Sequence, residues 1–315
     1  MKIKKVIIEN FCGFYGVHEF SFSEGLTIIN AKNGNGKTTL FRAITWLFNQ
    51  HHGHWVFSRK KVSELALNES AKTRVKLYLF HQGEKAFERS VTIKKESNNT
   101  ISQNEELFGY KFIEGQEIKV PHQALFDYFT ISYIADSNIK EMNLRIFLEH
   151  FKKEYGQFSQ EIDQLANNYL DLMKRRGLLK FTIKFQNDYK NMFVLNKEDG
   201  SVMPIDYLNT ANNIIIWFAM RLAIRDWYEN VTNEQFPLFF DAPFAVFHPD
   251  EINSIMEVLN GTNKQIVIAT QAFLDITRHP KIEQLKKLGC TAYYLDRVDD
   301  PVDIASISLQ EEKVC

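Results

Sequence analysis

A glycine-rich turn between an apolar strand and an apolar helix constrains this chain more than any other feature. Residues 25–30 form a β-branched apolar run, and residues 40–48 carry apolar side chains at helical spacing. The turn between them, residues 31–39, reads Ala-Lys-Asn-Gly-Asn-Gly-Lys-Thr-Thr. Strand, glycine turn and helix in this order are typical of a phosphate-binding P-loop. Ala31 stands where the full pattern has its first glycine, which is a small change.

The motif assigns a role to each of its residues. The backbone N–H groups of such a turn surround phosphate oxygens, and the N-terminus of the following helix adds its positive end. We expect Lys37 to contact the β- and γ-phosphates of a nucleotide and the Thr38 hydroxyl to bind Mg²⁺. The predicted nucleotide-binding residues of the loop are Asn33, Gly34, Asn35, Gly36, Lys37, Thr38 and Thr39.

A second part of the site is predicted far along the chain. Residues 236–240 form an apolar run that ends in Asp241. In P-loop ATPases an acid at the end of such a strand holds Mg²⁺, and we expect this strand to lie beside the P-loop strand. An acid that simply closes a strand is the plainer interpretation. The dipeptide Ala242-Pro243 after Asp241, and its place long after a P-loop, favour the metal role.

Composition limits the classes of partner. The formal net charge is −1, so no global basic field attracts nucleic acid, and any DNA contact requires a local patch. The three cysteines are scattered, which argues against disulfides and zinc sites and is compatible with a reducing cytoplasm. No apolar run approaches the ~20 residues of a membrane-spanning helix. The first residues read as a short strand rather than a signal peptide, so we expect a cytoplasmic protein without membrane contact.

Two basic groups and one histidine group have alternative interpretations. Arg59–Lys61 and Lys174–Arg176 are candidate contacts for DNA phosphates, or else a solvated loop and a charged helix end. His51, His52 and His54 resemble a metal-binding tract, but without a nearby acid or cysteine a polar loop is preferred.

The remaining pattern predicts mixed α and β structure. Residues 4–11 and 14–22 are expected to pair as strands, and residues 75–80 and 85–93 to form a hairpin. Residues 96–106 are polar and are predicted as a surface loop. Residues 211–228 are predicted as a buried helix. Further expected strands are 181–185, 192–195, 265–270 and, last along the chain, 291–295.

Three segments match the motifs of one group of ATPases. They are residues 8–16 (Ile-Glu-Asn-Phe-Cys-Gly-Phe-Tyr-Gly), residues 33–40 (Asn-Gly-Asn-Gly-Lys-Thr-Thr-Leu) and residues 241–244 (Asp-Ala-Pro-Phe). Through them the chain resembles the ABC-type ATPase heads of the SMC, RecF and RecN group. Within that group it is similar to the DndD-like ATPases of bacterial DNA sulfur modification. Residues 208–212 (Leu-Asn-Thr-Ala-Asn) stand where these proteins have the ABC signature.

The resemblance implies an α/β P-loop NTPase of ABC-ATPase type. Its mixed sheet would be joined by an N-terminal antiparallel β subdomain and a helical C-terminal lobe. We expect residues 1–155 to form the N-terminal lobe and residues 156–315 the C-terminal lobe, together one head. The family's long coiled coil is expected to be absent, because the segment between the lobes has no heptad repeat of useful length.

Several positions depart from the family pattern. The signature serine and glycine, which bind the γ-phosphate of the opposite subunit, correspond to Asn209 and Ala211. The water-activating glutamate after the metal aspartate corresponds to Ala242, the D-loop aspartate to His248, and the switch histidine to Gln271. The candidates for positioning or activating water are therefore Gln271, in the way that glutamine serves in GTPases, and His248, Asp250 or Glu251 from the loop after Asp241.

The resemblance implies a function in two parts. The first is binding and slow hydrolysis of ATP with Mg²⁺, with two heads closing into an ATP-dependent homodimer. The second is action on DNA in modification, repair or phage defence, together with partner subunits. An alternative is a nucleotide-gated interaction module that scarcely hydrolyses ATP, which Ala242, Ala211 and Asn209 favour. A small-molecule kinase is a third possibility, against which the paired N-terminal strands and the distant Asp241 argue.

Overall fold

The structure is a computed structural model, and it describes most of the chain with internal gaps. The described residues are 1–47, 56–80, 83–96, 101–120, 159–173, 180–185, 192–233, 235–275, 277, 280–299 and 303–308. The histidines at 51, 52 and 54 and the basic group at 174–176 lie outside these ranges.

Fourteen strands and six helices make up this part of the chain. The strands are β1 (Lys2–Glu9), β2 (Val17–Ser21), β3 (Leu26–Ala31), β4 (Ser70–Phe80), β5 (Glu84–Lys95), β6 (Ile101–Ile113), β7 (Gln116–Val120), β8 (Phe181–Phe185), β9 (Met192–Asn196), β10 (Val202–Pro204), β11 (Leu238–Asp241), β12 (Ile266–Thr270), β13 (Thr291–Asp299) and β14 (Asp303–Ser308). The helices are α1 (Lys37–Trp46), α2 (Arg59–Ser63), α3 (Ser159–Met173), α4 (Thr210–Thr232), α5 (Pro249–Gly261) and α6 (Ile282–Lys287), and a 3₁₀ turn spans Ile205–Tyr207.

A six-stranded antiparallel sheet forms the N-terminal subdomain, in the order β2-β1-β4-β5-β6-β7. This confirms the predicted pairing of β1 with β2 and the predicted β4–β5 hairpin. The prediction of a surface loop was wrong for residues 101–106, because β6 pairs with β5 from Lys95 opposite Ile101 to Lys85 opposite Lys111. Residues 97–100 of the predicted loop lie outside the described residues. Backbone hydrogen bonds to β5 hold this segment extended although its side chains are polar.

A mixed five-stranded sheet, in the order β11-β12-β3-β13-β14, lies at the centre of the fold. Its first four strands are parallel and β14 is antiparallel to β13. Strands β3 and β12 are buried along their whole length, as expected for parallel strands covered on both faces. This sheet takes β3 from near the N-terminal end of the sequence, and its other four strands lie after residue 237.

Two expectations about this sheet were wrong. The strand ending in Asp241 does not lie beside the P-loop strand, because β12 is inserted between β11 and β3. Residues 291–295 are not the last strand either, since the chain turns back to form β14 along β13. The local apolar patterns identify these segments as strands but carry no information about which strands become neighbours.

The helices pack on these sheets. The predicted buried helix is confirmed as α4, which has thirteen of its 23 residues buried. A small antiparallel sheet, β10-β9-β8, precedes α4, and helix α3 contacts both α4 and β8. Within the described ranges, no helix is both long and apolar enough to span a membrane.

Candidate nucleotide-binding site

The glycine turn after β3 has the backbone shape that the motif requires. Gly34 and Gly36 have φ angles of +84° and +89°, a region that glycine adopts without steric cost. Gly36 is the N-cap of α1 and provides no side-chain cap to the first turn. The N–H groups at the start of an α-helix have no partners within the helix, so this turn presents donors suited to an anion.

Lys37 is folded back over the loop. Its Nζ donates to the carbonyl oxygens of Ala31 at 2.7 Å and Lys32 at 2.8 Å, and the residue is 6% exposed. Burial lowers the pKa of the Lys37 ammonium, and the charge of Asp241 partly opposes this shift. The positive charge therefore lies close to the turn and within the influence of the acid at the end of β11.

Asp241 and Thr38 meet although 203 residues separate them in the chain. The Thr38 hydroxyl donates to Asp241 Oδ2 at 2.7 Å. The second carboxylate oxygen, Oδ1, is buried and has no hydrogen-bond partner among the described residues. A buried carboxylate oxygen without a partner beside a threonine hydroxyl matches the oxygen ligands that Mg²⁺ prefers, since Mg²⁺ commonly takes one or two protein groups and completes its shell with phosphates and water.

Larger clusters of protein side chains can hold a metal ion without other ligands. Within the described ranges, no group of three or more histidine, cysteine, aspartate or glutamate side chains is gathered to hold an ion. Thr38 and Asp241 offer two oxygen ligands, a small set of the kind that Mg²⁺ uses when phosphates and water complete its shell.

The residues proposed for water activation occupy different positions around this edge. Ala242 follows Asp241 directly, with a φ of +49°, and its N–H donates to the Ala269 carbonyl at 2.8 Å. Gln271 follows β12 and has an exposed side chain. Because β11, β12 and β3 are parallel, Gln271 and Asp241 lie at the same sheet edge as the P-loop.

His248 is instead part of a helix start. It is the N-cap of α5, where it forms a capping box with Glu251, whose carboxylate accepts from the His248 N–H at 3.1 Å. Its Nδ1 lies 3.5 Å from the Asp250 N–H. The sequence-based prediction of a loop carrying Asp250 and Glu251 was wrong, because both belong to the first turn of α5. The His248 side chain, 72% exposed, has a capping contact that explains its presence without catalysis.

The signature-like segment also forms a helix start. Asn209 is the N-cap of α4, and its Oδ1 accepts from the Asn212 N–H at 2.9 Å. Ala211 lies in the first turn and is partly exposed. This hydrogen bond of Asn209 is local to α4 and does not connect Asn209 to the P-loop of the same chain. The structure therefore leaves the roles of Asn209 and Ala211 as predictions.

Three residues of the site were missed in the sequence. Asn30, in β3, donates from Nδ2 to the Phe273 carbonyl at 2.9 Å, while its Oδ1 is buried without a partner in the described part of the chain. Asp296, in β13, contacts the P-loop residue Asn35. Ile304, in β14, packs against Gly36. Asp296 follows an apolar run just as Asp241 does, and that signal was present in the sequence.

The basic group at α2 lies near the N-terminal sheet. Lys60 Nζ is 4.7 Å from the centroid of the Tyr15 ring, and the Ser58 hydroxyl accepts from the Lys61 N–H at 3.5 Å to cap the helix. This arrangement explains the helix start locally. A DNA contact through this group stays a prediction.

Comparison with known proteins identifies the family and the fold. The model of the AAA domain family matches residues 5–200, which include the whole P-loop. The fold is similar to an SMC head domain from Thermotoga maritima, with a TM-score of 0.53, 14% identity, and 98% of this chain and 99% of that chain covered. It is also similar to an SmcHead bound to the C-winged helix domain of ScpA, with a TM-score of 0.56, 13% identity and 99% of each chain covered.

A third similar structure is the Smc head domain with an extended coiled coil, bound to the C-terminal domain of ScpA derived from Pyrococcus furiosus. Its TM-score is 0.56 at 12% identity, over 98% of this chain and 97% of that chain. No curated protein matches the sequence. The match over residues 5–200 and the shared architecture of parallel sheet, P-loop and antiparallel subdomain show that the chain belongs to the AAA domain family and has the fold of an SMC-type ATPase head.

Proposed function

We propose that this protein binds ATP with Mg²⁺ at the turn between β3 and α1. The observation that supports this most directly is the 2.7 Å hydrogen bond between Thr38 and Asp241, with the second oxygen of Asp241 buried and unpaired. Membership of the AAA domain family supports the same assignment. A buried carboxylate oxygen without a partner is costly, and a cation would satisfy it.

Each residue of the site has a distinct task in this proposal. The N–H groups of the turn bind phosphate oxygens, and Lys37 exchanges its two carbonyl contacts for the β- and γ-phosphates. Thr38 and Asp241 hold Mg²⁺, which when bound neutralises phosphate charge. Desolvation makes the Lys37 ammonium a stronger partner for phosphate, because its charge is poorly solvated before the ligand arrives.

The test is a comparison of ATP-induced stabilisation. Saturating ATP at 100 times its Kd should stabilise the wild-type protein by about 2.7 kcal/mol, and Lys37→Ala should abolish this gain. Lys286→Ala removes a lysine whose side chain is 52% exposed, and it serves as the matched control that should respond to ATP like the wild type. Equal stabilisation of Lys37→Ala and the control would refute the binding assignment.

We further propose that ATP hydrolysis is slow. Ala242 stands where a water-activating acid is expected, and its methyl group accepts no proton. Turnover should therefore lie well below the typical enzyme median of ~10 s⁻¹. Gln271 is the first candidate for orienting water because it lies at the carboxyl edge of the sheet, and Gln271→Ala should slow phosphate release further. Fast turnover in the wild type would contradict this interpretation of Ala242.

An interaction module that binds ATP and scarcely hydrolyses it is the second candidate function. The capping role of His248 and the alanine at position 242 favour it, since two candidate positions lack an evident catalytic task. Steady-state phosphate release, compared with ATP-dependent assembly of the same sample, separates the two functions. Assembly without phosphate release would favour the module, and coupled assembly and release would favour the ATPase.

ATP is proposed to join two copies of the head. Asn209 caps α4, and the positive end of a helix start suits the γ-phosphate held by another subunit. Light scattering with and without a slowly hydrolysed ATP analogue should detect a dimer that Asn209→Arg weakens. A monomer in every condition would refute the sandwich, and a dimer unaffected by Asn209→Arg would place the interface elsewhere.

Action on DNA, with partner subunits, in modification, repair or phage defence completes the proposal. The resemblance to DndD-like ATPases motivates the pathway, and two of the similar SMC heads are named as complexes with ScpA. The basic residues Arg59 and Lys61 on α2 are the candidate DNA contacts within the described ranges. Fluorescence anisotropy with labelled duplex DNA should show weaker binding and a smaller salt dependence for a double alanine variant. Binding unchanged by this variant would exclude α2 as the contact.

A further inference from the structure

The strand on the other side of β3 brings an acid to the P-loop. Strand β13 runs parallel to β3, and their last paired residues are Leu295 and Ala31. Asp296 is the next residue, so it stands opposite the point where β3 gives way to the glycine turn. Because β13 runs parallel to β3 and in register with it, this carboxylate lies beside the start of the glycine turn.

The carboxylate of Asp296 contacts two P-loop residues. Its Oδ1 accepts from Asn35 Nδ2 at 3.0 Å and lies 3.9 Å from Lys32 Nζ. The Asn35 amide is also 3.5 Å from the Leu295 carbonyl, and Asn35 is 7% exposed. The same Oδ1 accepts from the Arg297 N–H at 3.0 Å, which orients the carboxylate from its own strand.

The position of Asn35 gives these contacts their importance. Asn35 is the single residue between Gly34 and Gly36, both of which have positive φ angles. Glycines lose more conformational freedom on ordering than other residues, so a turn of this kind requires an anchor to hold one shape. The Asn35 side chain is such an anchor, and Asp296 is its charged partner.

We propose that Asp296 is a positioning residue for the P-loop, which holds Asn35 so that the surrounding N–H groups point towards phosphate before the nucleotide arrives. This inference rests on the proposed function of nucleotide binding. Pre-organisation raises affinity because a loop that is already ordered in the free protein loses less conformational entropy when the nucleotide binds. Asp296 contacts the loop and not the nucleotide in this scheme, so its effect should reach any ligand that the loop holds through phosphate.

The test measures the affinity of the full chain for Mg²⁺-ATP and for Mg²⁺-tripolyphosphate by calorimetry. Asp296→Ala and Asn35→Ala should each weaken binding of both ligands by roughly tenfold, equivalent to ~1.4 kcal/mol. The double variant should lose much less affinity than the sum of the two single losses, because both substitutions remove the contact between Asn35 and Asp296. Asp296→Asn retains an acceptor for the Asn35 amide and should stay within about twofold of the wild type.

The control is Glu283→Ala, which removes a carboxylate that is 86% exposed on α6. Additive losses in the double variant, or wild-type affinity of Asp296→Ala, would overturn the inference. A loss confined to ATP, with tripolyphosphate unaffected, would also overturn it, because Asp296 would then contact the nucleoside. Absence of ATP binding by the wild type would instead refute the proposed function, so the two failures are distinguishable.

Discussion

Gly36 and Gly34 offer a matched pair for testing how β14 supports the P-loop. Both have positive φ angles, so an alanine at either position costs roughly 1–2 kcal/mol of backbone strain. They differ in their surroundings. A Cβ on Gly36 would lie 2.5 Å from Ile304 Cδ1, whereas a Cβ on Gly34 meets nothing within 4 Å.

The expected destabilisations follow from this difference. Gly34→Ala should lower the free energy of unfolding by about 1–2 kcal/mol from strain alone. Gly36→Ala should cost a further ~1–3 kcal/mol, because the added methyl forces Cδ1 of the buried Ile304 to move in packed surroundings. The next nearest atoms of Ile304 are Cγ2 at 3.4 Å and Cγ1 at 3.5 Å, so loss of Cδ1 alone removes the clash.

The assay is urea denaturation without nucleotide, on the single variants, Ile304→Val and the double variant. Ile304→Val alone should cost about 0.5–1.5 kcal/mol, but in the Gly36→Ala background it should be neutral or stabilising. This coupling is specific to the contact between β14 and the turn. Equal destabilisation by Gly34→Ala and Gly36→Ala, with additive behaviour of Ile304→Val, would refute the packing argument.

Four further predictions concern α4 and the thiols of Cys12 and Cys290. Asn209→Ala should lower the free energy of unfolding by about 1 kcal/mol through loss of the α4 cap, whereas Asn209→Asp should retain the cap. Equal losses for the two variants in urea denaturation would exclude capping. Phe218→Ala should lower the free energy of unfolding by about 3–5 kcal/mol in the same assay. Phe218 is 1% exposed, and its ring centroid lies 4.3 Å from that of Phe240. A loss below ~1 kcal/mol would contradict this packing argument. Burial raises the pKa of the Cys12 and Cys290 thiols from 9.0 to about 11. The unfolded chain therefore releases these protons first, and the free energy of unfolding should be unaffected by them below pH 9 and fall as the pH rises towards 11. At pH 8, both thiols should be alkylated roughly 100-fold more slowly in the native protein than in denaturant, as measured by peptide mapping. Equal rates in the two states would refute the burial of these thiols.

Local patterns in the sequence were sufficient for much of the site. The P-loop could be predicted because a single stretch contains its strand, its glycines and its helix start. Asp241 could be predicted because an apolar strand ending in an acid is a local signal, and the structure places this acid against Thr38. An acid also follows an apolar run at Asp296, but none of the three segments that match the family motifs includes it.

Tertiary structure decided the rest. Polar residues of β6 became a strand because β5 offered a complete row of backbone partners, which no property of β6 itself announces. The supposed loop at Asp250 became the first turn of α5 through the capping box of His248 and Glu251. The order of the central strands depends on packing between segments far apart in the chain. The contact of Asn35 with Asp296 spans 261 residues, and Thr38 meets Asp241 across 203. Sequence periodicity indicates which face of a single element is apolar. These pairings, in contrast, are set when the whole sheet assembles. The chemistry of each residue could therefore be predicted from the sequence, but its partners could not.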